Sequence, residues 1–389
     1  MPPGAAGWYA VPISQLSDTG LSLLWGRSLK LPAGTAVGCC RLPTEFSYLC
    51  GINLTMPDHK SADVTIVGSG SWATAMAMVL AANGRRVAWY IDRPEIFRHV
   101  RRYHQNPHYL TSVTLDPQLV TPFDNITEAV TASEVIILVT PSAFLKKELE
   151  GLGKDAFRGR IVCSGIKGIV PGNNTVVGEY INSFYGMPYE DIVIITGPSH
   201  AEEVAMEKLT YLTFASADTS NAGRVADLFS CRWIMTVISS DIFGTEYAAV
   251  MKNIYAIAAG IAHGLGYGDN FLAVLLANAA GEMKRFVEAL SPESREITDS
   301  PYLGDLLVTG YSQFSRNRAL GHMLGKGISV QNALLEMTQV AEGYFASACI
   351  NEVKVKTGSE IPIADSVYRI LYGNSSPARE IRNLSKKLK

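Results

Sequence analysis

Lys252 is the residue of this sequence best placed to do chemistry. It lies inside Glu246-Tyr-Ala-Ala-Val-Met-Lys-Asn-Ile-Tyr-Ala-Ile-Ala-Ala-Gly260, where Ala248, Met251, Tyr255, Ala258 and Ala259 recur at helical spacing. That pattern requires most of the helix to be buried. Burial disfavours an ammonium, so a lysine in this setting is drawn towards its neutral form and can exchange a proton with a substrate oxygen near neutral pH. The alternative is a side chain that runs along the helix and keeps its charge in water. Asp305, in Leu303-Gly-Asp-Leu-Leu-Val-Thr309, could pair with and orient Lys252 or act as an ordinary cap. In Cys163-Ser-Gly-Ile-Lys167-Gly168, Lys167 follows a predicted strand and is placed to reach an anionic or carbonyl oxygen.

Two further motifs carry polar groups. Thr196-Gly197-Pro-Ser199-His-Ala201 also follows a predicted strand, and supplies backbone and hydroxyl donors before it opens a helix. His200 within it is read as structural. Ser315-Arg-Asn-Arg318 has Ser315 as a helix N-cap, with Arg316 and Asn317 in the first turn. Arginine is disfavoured at that positive end, so an anion such as a phosphate, held by bidentate hydrogen bonds, would offset it. An exposed surface charge is the other reading of Arg316.

Upstream, Gly68-Ser-Gly70-Ser-Trp-Ala73 joins the first strand to the first helix. In G-x-G-x-x-G/A the first glycine allows a tight turn and the second lets backbone approach a pyrophosphate. The third small residue permits close helix–strand packing. Asp92 follows the second strand, close to the offset of ~20 residues at which an acidic side chain meets the adenosine ribose. A carboxylate there favours NAD, whereas Arg93 next to it could receive the 2′-phosphate of NADP. The reading leans to NAD.

The elements that must position these groups alternate as strand and helix from residue 63. Strands are expected at 64–67, 87–91, 134–140, 161–163, 192–196, 211–214 and 234–238, with helices at 73–82 and 94–104. After about 243 the pattern is helical: 243–263, 270–290, part of 301–309, 315–323, 329–335, 339–356 and 362–372, then an exposed final helix within 376–389. The fold class is therefore α/β: a Rossmann-like, doubly wound, mainly parallel sheet over 62–243, followed by an all-α domain over 244–389. Residues 1–61, rich in Gly, Pro, Ser and Leu, are expected to be a disordered or mis-assigned extension, with Met56 the preferred initiator and an unusual targeting segment the alternative.

Composition narrows the function. The chain has 389 residues and a formal net charge of −2, so it presents no basic field for nucleic acid. No run approaches the ~18 apolar residues of a membrane span. Six cysteines lack CxxC or His-paired spacing, so no metal site is expected and a reduced, cytoplasmic setting is.

Taken together, GSGSWATA at 68–75, SGIKG at 164–168, TGPSHAEE at 196–203, MKNIYAIAAG at 251–260, LGDLLVT at 303–309, SRNR at 315–318 and VAEG at 340–343 resemble NAD(P)-dependent glycerol-3-phosphate dehydrogenase of the bacterial type. The resemblance covers roughly 63–385. It implies an oxidoreductase that reversibly reduces dihydroxyacetone phosphate to sn-glycerol 3-phosphate with NAD(P)H, supplying glycerophospholipid synthesis. It implies cofactor contacts from Gly68, Gly70, Ser71, Trp72, Asp92, Arg93, Lys167, Ala201, Arg316, Val340 and Glu342. Substrate contacts would come from Lys167, Gly197, Ser199, Lys252, Asp305, Ser315, Arg316 and Asn317. Lys252 would be the acid/base, with Lys167 polarising the carbonyl and Asp305 beside them. A homodimer is expected. Ala73 stands where many relatives carry glycine, and residues 1–61 have no counterpart. Rivals are a 3-hydroxyacid or 6-phosphogluconate-type dehydrogenase, and a non-catalytic nucleotide sensor.

Overall fold

The β-branched runs of the first half assemble into one eight-stranded sheet. The computed structural model describes residues 62–389, so the expectations for 1–61 fall outside the described residues. Strands and helices alternate as Val64–Val67 (β1), Ser71–Ala82 (α1), Val87–Tyr90 (β2), Pro94–Tyr103 (α2), Val120–Phe123 (β3), Ile126–Thr131 (α3) and Val135–Leu138 (β4). They continue as Leu145–Glu148 (α4), Ile161–Ser164 (β5), a small hairpin of Ile169–Val170 (β6) and Thr175–Val176 (β7), Val177–Tyr185 (α5) and Ile192–Thr196 (β8). Ala201–Ala205 (α6), Thr210–Ala215 (β9), Thr219–Phe229 (α7) and Ile234–Ser239 (β10) complete this half. The strand order is β10-β9-β8-β5-β4-β1-β2-β3, parallel throughout except between β8 and β9.

That one reversal has a local cause. The five residues of α6 rise only ~7 Å, too little to carry the chain back along a strand and start a parallel neighbour. β3 escapes the sequence pattern because Pro122 interrupts it. A proline removes a ladder donor and is tolerated at a sheet edge, where β3 lies. The central strands β1, β4, β5 and β8 are buried at every position, as continuous apolar runs require when helices cover both faces.

The second half is helical: Ile242–Gly264 (α8), Asp269–Leu290 (α9), Asp305–Tyr311 (α10), Arg316–Gly325 (α11), Val330–Glu336 (α12), Glu342–Thr357 (α13), Pro362–Leu371 (α14) and Pro377–Ser385 (α15). A π-helical turn, Ser300–Gly304, leads into α10, so the helix expected over part of 301–309 begins as a π turn. In α8 only Phe243 and His263 escape burial. A helix that is apolar all round belongs at the centre of a core, and α9, α10, α11, α13 and α14 pack around it. The last helix corrects an expectation. α15 is not simply exposed, because Glu380, Ile381 and Leu384 are buried and Arg369 Nε donates to Glu380 at 3.0 Å.

α8 and α11 meet through glycines. A Cβ on Gly260 would strike the Arg318 carbonyl, and one on Gly321 the Ile257 carbonyl. Gly264 and Gly325 face each other one turn further on under the same constraint. The two backbones therefore approach more closely than side chains would allow. This fixes the start of α11, with Arg316 and Asn317, relative to Lys252 on α8.

Candidate active site

The loops after β1, β4, β5 and β8 open at one edge of the sheet, and α8 and the start of α11 close over them. Ser71, Lys167, Ser199, Lys252, Arg316 and Glu342 line the resulting cleft together. Ligands bind at this edge in open α/β sheets.

Lys252 does not snorkel to solvent: it is 5% exposed. Its Nζ donates to Asp305 Oδ1 at 2.5 Å and to Thr309 Oγ1 at 2.9 Å. Lys167 Nζ donates to the other oxygen of the same carboxylate at 2.9 Å and to the Gly197 carbonyl at 2.7 Å, with Ser199 Oγ at 3.4 Å. Asp305 thus lies behind two lysines and joins them, while the lysines face the cleft. Thr309, one helical turn after Asp305, accepts from Lys252 and donates to the Asp305 carbonyl at 2.6 Å. The i, i+4 spacing within Leu303–Thr309 was the available signal for it.

Electrostatics follow from this geometry. Burial lowers Lys252 to about 7, against the pull of Asp305, and the Lys167 charge acts in the same direction as burial. Burial alone would raise Asp305, but Lys167 and Lys252 outweigh it and hold the carboxyl below its ordinary range. His200 is pushed down to about 4 by burial and by both lysines, so it stands neutral beside them. A lysine near 7, held by a carboxylate and facing a cleft, can give or take a proton at physiological pH.

The glycine loop forms the other side of the cleft. Gly68 has φ +133°, and a Cβ there would press on Thr140 and Val139. Gly70 has nothing within 4 Å of an added Cβ, and it begins α1 with no side-chain cap. This leaves open space in front of unsatisfied helix N–H groups, the arrangement that accepts a phosphate. Trp89 Nε1 donates to the Gly68 carbonyl at 2.7 Å, and Asn106 Nδ2 donates to the Ser69 carbonyl at 3.1 Å. Ser69 Oγ donates to Asp92 Oδ1 at 2.5 Å. Arg93 Nη1 reaches the Tyr109 hydroxyl at 3.4 Å and lines an adjoining recess with Gly70, Ser71 and Arg316.

The two halves of the chain meet across the cleft. Arg316 Nη2 donates to Ser71 Oγ at 2.7 Å, bringing the SRNR motif onto the glycine loop. Ser315 caps α11 as its position predicts, accepting from Arg318 N. Asn317 is already engaged: Nδ2 donates to Asn253 Oδ1 at 2.9 Å and Oδ1 accepts from Gly343 N at 2.9 Å. Asn253 Nδ2 in turn donates to the Lys167 carbonyl at 2.7 Å. Glu342 accepts from Ser142 N at 2.9 Å and Ser142 Oγ at 2.5 Å, and burial raises its carboxyl despite Arg316 nearby. Ala201, Trp72 and Val340 line the same cleft, whereas Gly197 serves through its carbonyl. Asn106 and Ser142 are the supporting residues that sequence pattern did not flag; Asn106 lies in a loop and Ser142 opens the short 3₁₀ turn Ser142–Phe144, and neither carries a periodic signal.

Comparison with known proteins adds independent findings. The family described as NAD-dependent glycerol-3-phosphate dehydrogenase N-terminus matches residues 63–222, and the corresponding C-terminus matches 241–382. A glycerol-3-phosphate dehydrogenase [NAD(P)+] of Chlorobium phaeobacteroides (strain BS1) is 33% identical over 322 residues, 82% of this chain and 96% of that protein. One of Bacillus cytotoxicus is 34% identical over 316 residues, covering 80% and 92%. The crystal structure of glycerol-3-phosphate dehydrogenase from Coxiella burnetii has a TM-score of 0.78 at 27% identity, covering 84% of this chain and 99% of that one.

Proposed function

The chain belongs to the NAD-dependent glycerol-3-phosphate dehydrogenase family, and from that premise we propose that Lys252 is the acid/base of its reaction. The enzyme reversibly reduces dihydroxyacetone phosphate to sn-glycerol 3-phosphate with NAD(P)H. The bound nicotinamide supplies hydride to C2. The observation that carries the assignment is the buried Lys252–Asp305–Lys167 chain facing the cleft. Lys252 gives its proton to the oxygen developing negative charge on C2, and Lys167 polarises that oxygen beforehand. Asp305 keeps both ammonium groups aimed at one point. Arg316, with Ser315 and Asn317 at the same helix start, holds the phosphate, so binding far from the reacting carbon fixes its geometry. The glycine loop, Ser71, Trp72, Ala201, Val340 and Glu342 are assigned to the cofactor.

NAD is the proposed preference over NADP. Asp92 is held by Ser69, and Glu148 lies near enough for Asp92 to help raise its carboxyl to about 7, after burial. The Asp92 carboxylate opposes a 2′-phosphate there, and Arg93 is turned to Tyr109. Domains divided as 62–243 and 244–389 agree with strands that end at Ser239 and family matches that stop at 222 and resume at 241. Among the described residues no helix is long and apolar enough to cross a membrane. A cytoplasmic setting accords with the free thiols of Cys163, Cys231 and Cys349, and a homodimer with the exposed Met235 and Val237 on edge strand β10.

Oxidation of NADH, and separately of NADPH, on adding dihydroxyacetone phosphate to the purified protein tests the reading. Turnover that requires the phosphorylated ketone, and is faster with NADH, is the expected result. Turnover confined to an unphosphorylated 2-oxoacid would replace it with the hydroxyacid rival.

A further inference from the structure

We propose that Asp241, Arg295 and Tyr302 form a positioning cluster that fixes the π-helical turn and so aims Asp305 at Lys252 and Lys167. The inference rests on the acid/base assignment above and extends it to three residues outside the cleft.

The segment between α9 and α10 creates the need. Residues 291–299 form no helix or strand and are largely exposed, yet they lead within a few residues to Asp305, which is 1% exposed. Such a loop would by default be mobile. Arg295 is its anchor: its side chain is 2% exposed, with Nε at 2.7 Å from Asp241 Oδ2 and Nη2 at 3.1 Å from Oδ1. Its Nη1 also closes the loop on itself by donating to the Ser291 carbonyl at 2.8 Å. From within the π turn, the Tyr302 hydroxyl donates to the same Asp241 Oδ2 at 2.5 Å.

Asp241 is itself the N-cap of α8, accepting from Gly244 N at 2.8 Å. The helix that carries Lys252 therefore grips the 302–305 segment twice, through Asp241 on Tyr302 and through Lys252 on Asp305. A π turn, rare in helices and common at functional sites, sets the phase between those two grips. Without the Asp241 grip, the two lysines are the ion pairs left on the Asp305 turn.

The test is a double-mutant cycle with Tyr302→Phe and Asp305→Asn, read as kcat, KM and the pH midpoint of dihydroxyacetone phosphate reduction. Tyr302→Phe alone should lower kcat about tenfold with KM changed less than about twofold. Its pH midpoint should fall, because Lys252 loses part of its acidic partner while burial, the Lys167 charge and the neutral His200 ring stay in place. In the Asp305→Asn background the same change should cost less than about twofold, since coupled residues are not additive. Arg295→Lys, which keeps one donor, should fall between wild type and Arg295→Met. A full tenfold loss that persists in the Asp305→Asn background would overturn the proposal. So would a fall in Tm with kcat and midpoint unchanged. Failure of Asp305→Asn or Lys252→Ala to impair the wild-type reaction would instead remove the acid/base assignment beneath it.

Discussion

At Lys252 burial and the Asp305 carboxylate act in opposite directions, and the ammonium is left near pH 7. On the proposed acid/base role of Lys252, the two directions of the reaction need opposite forms of one group. Reduction of the ketone needs the protonated amine, so kcat should decline as pH rises through about 7; oxidation of glycerol 3-phosphate needs the neutral amine and should rise through the same point. Rate profiles from pH 5.5 to 9 in both directions check this, and parallel profiles would refute it. Lys252→Ala should lower turnover by about 10²–10⁴ while cofactor binding, followed by nicotinamide fluorescence, persists. At this scale the sequence showed the types of the candidate groups but not their company. An apolar helix declares a buried lysine, and the LGDLLVT motif offers a carboxylate, but that one Asp305 serves both Lys167 and Lys252 depends on loops 138 and 53 residues apart closing on one point.

Between elements, the close crossing of α8 and α11 turns a packing detail into a requirement on the proposed phosphate contact at Arg316. Gly321→Ala would place a methyl against the Ile257 carbonyl, which cannot yield as a flexible side chain would. The helices must part, at a cost of about 1–3 kcal/mol in stability, and Arg316 moves with α11. KM for dihydroxyacetone phosphate should rise more than kcat falls. Gly281→Ala on α9 is the control: an added Cβ meets only the Arg285 side chain at 3.5 Å, so stability should be unchanged or higher by up to about 1 kcal/mol. Thermal melts with steady-state kinetics on both variants separate the effects; equal losses would refute the argument. Strands with continuous apolar runs and the long helices were legible in sequence. β3 with its proline, the β6–β7 hairpin and helices α3, α4, α5 and α7 were not, because their stability comes from what they pack against rather than from their own pattern.

Across the whole molecule, glutamates distant in sequence accept from uncapped starts of two helices and of the 3₁₀ turn Ser142–Phe144, and two of them, Glu246 and Glu282, are buried. Glu246 accepts from Gly178 N at the start of α5, Glu282 from Ile363 N and Ala364 N at the start of α14, and Glu342 from Ser142 N. Burial raises Glu246 to about 8 from 4.5, so the folded chain binds a proton there that the unfolded chain releases. The sign is therefore that stability from this group is present below about 4.5 and is lost as pH rises towards 8. Glu246→Gln should flatten that slope, changing the Tm difference between pH 5 and pH 8 by roughly 1–2 °C per kcal/mol removed. Differential scanning calorimetry at the two pH values checks it, and an unchanged difference would refute it. Helix caps of this kind are invisible to a local reading of the chain.

The Glu342 contact also bears on how the protein is made. Ser142 leaves the ribosome 200 residues before the carboxylate that satisfies it, a delay of about 10–40 s at ordinary rates of synthesis. The nascent sheet, complete at Ser239, therefore carries that edge unfinished until Glu342 has been made. The same carboxylate completes the cleft and the turn beside it, so the cleft closes only after the helical half has been synthesised as far as Glu342.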